Sequence, residues 1–203
     1  MDESLNLLRV SVEDYYRSLD DQDRNAQYAD HWWDHISRVV RNASLICDEA
    51  ISIGSDRAVI LAAALCHDFV VTNDGEDDVR ASSKRCRELM VDCGFTSRDA
   101  DLGASLVLAT DRDVREPTTT LERILYTADK LDLFGTDGTI RILLAESRKG
   151  LTVREDLAQR VRTRQAQWLL LMRSFDIAHA LVEERAESAE RLLESLSPID
   201  LTL

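Results

Sequence analysis

Between Leu5 and Leu19, apolar side chains recur at positions 5, 8, 12, 15 and 19, the spacing of an amphipathic helix. The polar run Asp20-Asp21-Gln22-Asp23-Arg24-Asn25 breaks it. A second helix is predicted from about Trp32 to Ile53, with Trp32, Ile36, Val39, Val40, Ala43, Ile46 and Ala50 on one side. Gly54 is expected to end that helix and Ser55 to cap the next. From Val59 to Cys66 the pattern is apolar all round, so this third helix should be central.

After Asp68 the composition turns acidic and turn-rich, Thr72-Asn73-Asp74-Gly75-Glu76-Asp77-Asp78, and reads as a loop. A helix over about Val79 to Asp92 should follow and stop near Gly94. Thr96-Ser97-Arg98-Asp99 resembles a capping box opening a helix to about Ala109. Thr119 and Glu122 have the same reciprocal spacing behind Pro117. That helix carries Asp129 and is expected to end at Gly135, with a short helix after Gly138. From Leu151 to Ser195 the pattern is long, charged and helical, with a break near Ser174 to Asp176. No segment alternates well enough to be a strand.

Composition agrees with an all-α chain. There are two prolines and seven glycines in 203 residues, and aromatics are few. That length suits a single domain over residues 1–203, with a core at about 28–148 and C-terminal helices at about 151–197. There is no stretch of 18 uncharged apolar residues, and Met1-Asp2-Glu3-Ser4 lacks a basic region. No membrane span or signal peptide is therefore expected, and the cytoplasm is the default compartment. The net charge of −13 disfavours non-specific binding to nucleic acid or an anionic membrane. It leaves room for a small anionic ligand held by a cation and local arginines. Cys47, Cys66, Cys86 and Cys93 form no Cys-x-x-Cys pair and read as reduced, buried thiols.

His67 and Asp68 end the central apolar run. His35 lies upstream, and Asp129 lies downstream in Ala128-Asp129-Lys130-Leu131-Asp132. Brought together, two imidazoles and two carboxylates can hold one divalent ion, and the donor types leave Mn²⁺, Fe²⁺, Zn²⁺ and Mg²⁺ open. Asp68 is a candidate both for holding metal and for orienting water, and Asp74 and Asp78 are candidates for proton transfer. Arg38, Lys84 and Lys130 are candidates to hold phosphate charge. Each also has a plainer reading: a core histidine, a solvated acidic turn, a surface cation. Trp32 and Trp33 read as packing residues, with base stacking the alternative. Arg148, Arg154, Arg160, Arg162, Arg164 and Arg173 read as a salt-bridged helix face.

The segments His31-Trp32-Trp33-Asp34-His35-Ile36-Ser37-Arg38-Val39, Ala62-Ala63-Ala64-Leu65-Cys66-His67-Asp68, Pro117-Thr118-Thr119-Thr120-Leu121-Glu122 and Ala128-Asp129-Lys130-Leu131-Asp132-Leu133-Phe134-Gly135 resemble the HD-domain superfamily of metal-dependent phosphohydrolases. Ala180-Leu181-Val182-Glu183-Glu184-Arg185 is similar to its branch of nucleotide phosphohydrolases and pyrophosphohydrolases. The resemblance spans about residues 28 to 195. It implies an all-α HD-domain helical bundle with a long helical C-terminal segment, and His35, His67, Asp68 and Asp129 as the metal ligands. It further implies hydrolysis of a nucleotide or other small phosphate ester. Relatives often have a histidine where Asp78 stands, and another in the region of Thr110-Asp111-Arg112. Some carry acids where Val71 and Thr72 stand. Only four histidines are present, which implies one metal rather than a histidine-rich pair. The alternatives are an HD module that binds metal or nucleotide without turnover, and a helical interaction protein. The C-terminal helices offer a surface for a homodimer.

Overall fold

A computed structural model describes residues 3–19, 33–50, 53–70, 75–111, 115–148, 155–171 and 175–195. Among the described residues there are nine α-helices and no strand. They are α1 (Glu3–Ser18), α2 (Trp33–Glu49), α3 (Arg57–Cys66), α4 (Gly75–Asp92), α5 (Ser97–Leu108), α6 (Thr120–Leu131), α7 (Gly135–Arg148), α8 (Glu155–Leu171) and α9 (Asp176–Ser195). The all-α expectation therefore holds. None of the described helices is long and apolar enough to cross a membrane. The chain divides into two compact units, Met1–Asp129 and Lys130–Leu203.

In the first unit α3 is the central helix, as its apolar run requires. Val59, Ile60 and every residue from Ala62 to Cys66 are buried, and α1, α2, α4 and α5 pack around it. Three consecutive alanines keep its girth small, so neighbours come close on several sides. Helix α1 buries Leu8, Val12 and Tyr16, while Tyr15 is only half-buried. Helix α2 buries Ile36, Val39, Ala43 and Ile46. Each fully buried aliphatic of this kind contributes about 1.5–3 kcal/mol relative to exposure. All four cysteines are free and buried. Burial pushes the Cys47 thiol up to about 11, which keeps it protonated and unreactive at neutral pH.

Both caps form, the second as a full reciprocal box. The Thr96 hydroxyl accepts from the Asp99 amide at 3.1 Å and donates to its carboxylate at 2.7 Å. Glu122 accepts from the Thr119 amide at 2.9 Å and the Thr118 amide at 3.0 Å, and its own amide donates to the Thr119 hydroxyl.

Four local expectations fail. Helix α2 ends at Glu49, short of Ile53 and Gly54, and Gly54 begins a separate 3-10 turn. Ser55 does not cap α3. It lies in a 3-10 turn, Gly54–Asp56, that runs straight into the helix, and Asp56 at the cap position makes no side-chain capping bond. The backbone of Asp56 is already helical, whereas a capping side chain needs an extended backbone to reach the first amides. Arg57 secures this end instead, donating to the Ser44 hydroxyl at 2.7 Å and the Asp48 carboxylate at 2.6 Å on α2. The acidic run after Asp68 is not all loop, because α4 begins at Gly75 and takes in Glu76, Asp77 and Asp78. Carboxylates in a first turn oppose the positive end of the helix dipole, so the acidic residues favour this start. Gly135 opens α7 rather than ending α6, which stops at Leu131, and α7 is four turns long rather than short. Gly135 has φ +83°, the left-handed backbone that lets the chain reverse between two helices.

The second unit packs α7, α8 and α9 around Ile142, Val161 and Leu193, with Leu133, Leu143 and Trp168 against them. The break expected near Ser174 to Asp176 matches the end of α8 at Leu171 and the start of α9 at Asp176. Arg162 pairs with Glu190 across these two helices, as the charged-face reading anticipated. Buried Asp132 accepts from Arg141 at 2.7 Å. Gln165 donates to the Leu133 carbonyl at 3.0 Å and Arg185 to that of Leu131 at 2.8 Å.

Candidate metal centre

Packing explains how the four expected ligands meet. His35 lies in the first turn of α2, one turn before Val39 on the buried face, and is 1% exposed. His67 is the residue that ends α3, so it inherits the buried face of Ala63 and Ala64. Asp68 follows in the turn, and its side chain is 19% exposed. Asp129 lies in the last turn of α6, one turn after buried Leu125.

Their donor atoms converge. Nε2 of His35 and Nε2 of His67 are 3.1 Å apart. Asp68 Oδ2 is 3.2 Å from each of them, and Asp129 Oδ1 is 3.7 Å from each. Ligand atoms roughly 2.1 Å from a common ion and at right angles to one another lie about 3.0 Å apart. The histidine and Asp68 separations match that edge length, and Asp129 needs only a small inward shift.

The protons agree. His67 Nδ1 is 2.9 Å from the Ala64 carbonyl, an acceptor, so Nδ1 carries hydrogen. In the neutral ring Nε2 then presents a lone pair toward two carboxylates. Such a cluster of acceptors favours positive charge at its centre. Burial alone would depress the His67 pKa, but Asp68 and Asp129 outweigh it and push it up to about 10. The field that would hold a proton here is the field that would hold a cation. His35, His67 and Asp129 are all buried, with donor atoms within 4.8 Å of one another. The donor set therefore fits one divalent ion.

The other candidates are distributed more widely. Arg38 is half-buried, one turn beyond His35 on α2. Asp78 is half-buried in the first turn of α4, and Lys84 is exposed on the same helix. Lys130 is half-buried and follows Asp129 directly. Asp74, Val71, Thr72, His31 and Trp32 lie outside the described residues. Trp33 is half-buried, with its ring centroid 6.4 Å from that of Tyr16, which fits packing.

Three polar side chains at the site escape a reading of the sequence. Tyr16 on α1 donates to the Asp68 carbonyl at 2.8 Å. Asn42 on α2 donates to the Ala128 carbonyl at 3.0 Å. The Ser82 hydroxyl on α4 accepts from the Val70 amide at 2.9 Å and donates to the Val70 carbonyl at 3.1 Å. The one sequence signal they share is a hydrogen-bonding group on the apolar stripe of a helix: Asn42 next to Ala43, Tyr16 one turn after Val12.

No protein-family profile matches the chain, and no curated protein matches it in sequence. Solved structures do match. YpgQ of Bacillus subtilis, in a complex with ADP, superposes with a TM-score of 0.70 over 95% of this chain and 93% of its own, at 23% identity. An HD-superfamily hydrolase from Bacillus thuringiensis gives 0.67 over 95% and 94%, at 18% identity. A predicted HD-superfamily hydrolase from an uncultured Thermotogales bacterium gives 0.53 over 96% and 90%, at 20% identity. Over nearly its whole length, then, the chain shares the all-α fold of these structures, two of which are described as HD-superfamily hydrolases.

Proposed function

We propose that this protein is a metal-dependent phosphohydrolase that cleaves a nucleotide or another small phosphate ester, with His35, His67, Asp68 and Asp129 as the metal ligands. One observation carries the reading: two imidazole nitrogens and two carboxylate oxygens meet at one point, with both imidazoles and Asp129 buried. A divalent ion there supplies Lewis acidity toward a phosphoryl oxygen and toward water. His67 keeps its free lone pair inward because Ala64 holds its other nitrogen. Asp68 is the ligand that reaches solvent, so it is placed to orient an attacking water and take its proton. The water oxygen bonds to phosphorus, the bond to the leaving oxygen breaks, and the proton passes to a carboxylate. Arg38 is our first candidate to hold phosphate charge, with Lys84 and Lys130 behind it. Asp78 and Asp74 are the candidates to return the proton to the leaving group. The bound ADP of the similar YpgQ supports a nucleotide as substrate.

A second reading is a module that binds metal or nucleotide without turnover. It is favoured by Val71 and Thr72, which stand where some relatives carry acids. Release of phosphate and pyrophosphate from a nucleotide panel with Mn²⁺, run beside His67→Ala, separates the two. Release by the wild type that falls at least 100-fold in the variant supports the hydrolase. Mn²⁺ binding with no release from any nucleotide supports the module.

A further inference from the structure

We infer that Tyr16 and Asn42 are positioning residues of the metal centre, one for each of its carboxylates; the inference rests on the metal-centre reading above. Both side chains are 1% exposed, yet each spends a donor on a backbone carbonyl far along the chain. Tyr16 reaches Asp68 from 52 residues away, and Asn42 reaches Ala128, beside Asp129, from 86 residues away.

The places they hold are those where the backbone is least able to hold itself. Asp68 lies in the turn beyond α3, outside the helical ladder that fixes His67. Asp129 lies in the last turn of α6, where helices run short of partners for their carbonyls. A carboxylate on a frayed end would sample several directions. One held by a buried hydrogen bond at its own or the adjacent carbonyl keeps one.

Tyr16 also joins two ligand segments through its ring. Its centroid is 6.4 Å from that of Trp33, two residues before His35, and 6.4 Å from that of Phe69, the residue after Asp68. The Phe69 ring in turn stacks on Tyr15 at 4.2 Å. Asn42 lies two turns after His35 on the buried face of α2, so one helix both supplies a ligand and steadies another. The amphipathic first helix is thereby part of the site, although none of its residues is a ligand.

The test is Mn²⁺ titration of the full chain by calorimetry, with thermal melts and the Co²⁺ absorption spectrum of each variant. Tyr16→Phe removes a single oxygen, and Asn42→Ala probes the second carboxylate independently if the first variant does not fold. Val12→Ala loosens α1 while leaving both hydrogen bonds to the ligand segments in place, and controls for lost stability. Supporting residues of metal ligands typically change affinity by about 10–100-fold. The expected result is Mn²⁺ binding weakened about 10–100-fold in Tyr16→Phe and Asn42→Ala, with an altered Co²⁺ spectrum and affinity unchanged in Val12→Ala. Binding within about twofold of wild type in the two variants, or an equal loss in Val12→Ala, would overturn the assignment while leaving the metal centre standing. A wild type that binds no Mn²⁺, or His67→Ala that binds it equally well, would overturn both.

Discussion

Most single residues here act through neighbours a few positions away, and Glu122 shows how much one can carry. Its side chain is 3% exposed, and burial alone would raise its pKa. The amides of Thr119 and Thr118, the Thr119 hydroxyl and the Arg115 guanidinium outweigh that and hold it below the usual glutamate value. A depressed folded-state pKa contributes stability that is present above the unfolded pKa and lost as pH falls through the folded value. Glu122→Gln should therefore cost about 1–3 kcal/mol at pH 7, the range for hydrogen bonds to a charged group. The difference from wild type should begin to shrink as pH drops below about 4.3, the unfolded value, and close as pH passes the lower folded value, where Glu122 is neutral as glutamine is. Urea unfolding at pH 7 and pH 3.5 checks this, and a gap equally wide at both would refute it.

Helix boundaries divide between local and distant causes. The starts of α5 and α6 are written in four-residue caps, and both form. The turn from α6 into α7 depends on contact between elements. A Cβ on Gly138 would collide with the main chain of Leu133, including its carbonyl. Backbone cannot step aside as a side-chain end can, so Gly138→Ala should destabilise by at least about 2 kcal/mol despite alanine's higher helix propensity. A lowered midpoint in thermal unfolding checks this; a rise would show that the turn relaxes without cost.

At the scale of the whole molecule, metal and stability are linked. An ion that binds the folded chain and not the unfolded one stabilises it by about 2.7 kcal/mol at a hundredfold excess over its Kd. For a chain of this size that is a rise of roughly 5–10 °C in Tm. Adding Mn²⁺ to metal-stripped protein should produce such a rise, chelator should reverse it, and Asp129→Asn should reduce it. Thermal melts that ignore Mn²⁺ in the wild type would count against the centre. The net charge of −13 works in the same direction, since a bound cation lowers the chain's excess of negative charge.

The amino-acid sequence by itself determined what depends on neighbours within about one helical turn. The apolar run from Val59 to Cys66 had to be a central helix, Thr119 and Glu122 had to cap one, and the four candidate ligands were visible as residues. Tertiary structure decided what depends on groups far apart. It brought Asp129 to both His35 and His67. It also set Tyr16 on Asp68 and Asn42 on Ala128, across 52 and 86 residues. The physical reason is that hydrophobic periodicity reports which face is buried and is silent about what it is buried against. A buried polar group on that face must find a partner, but only packing names it.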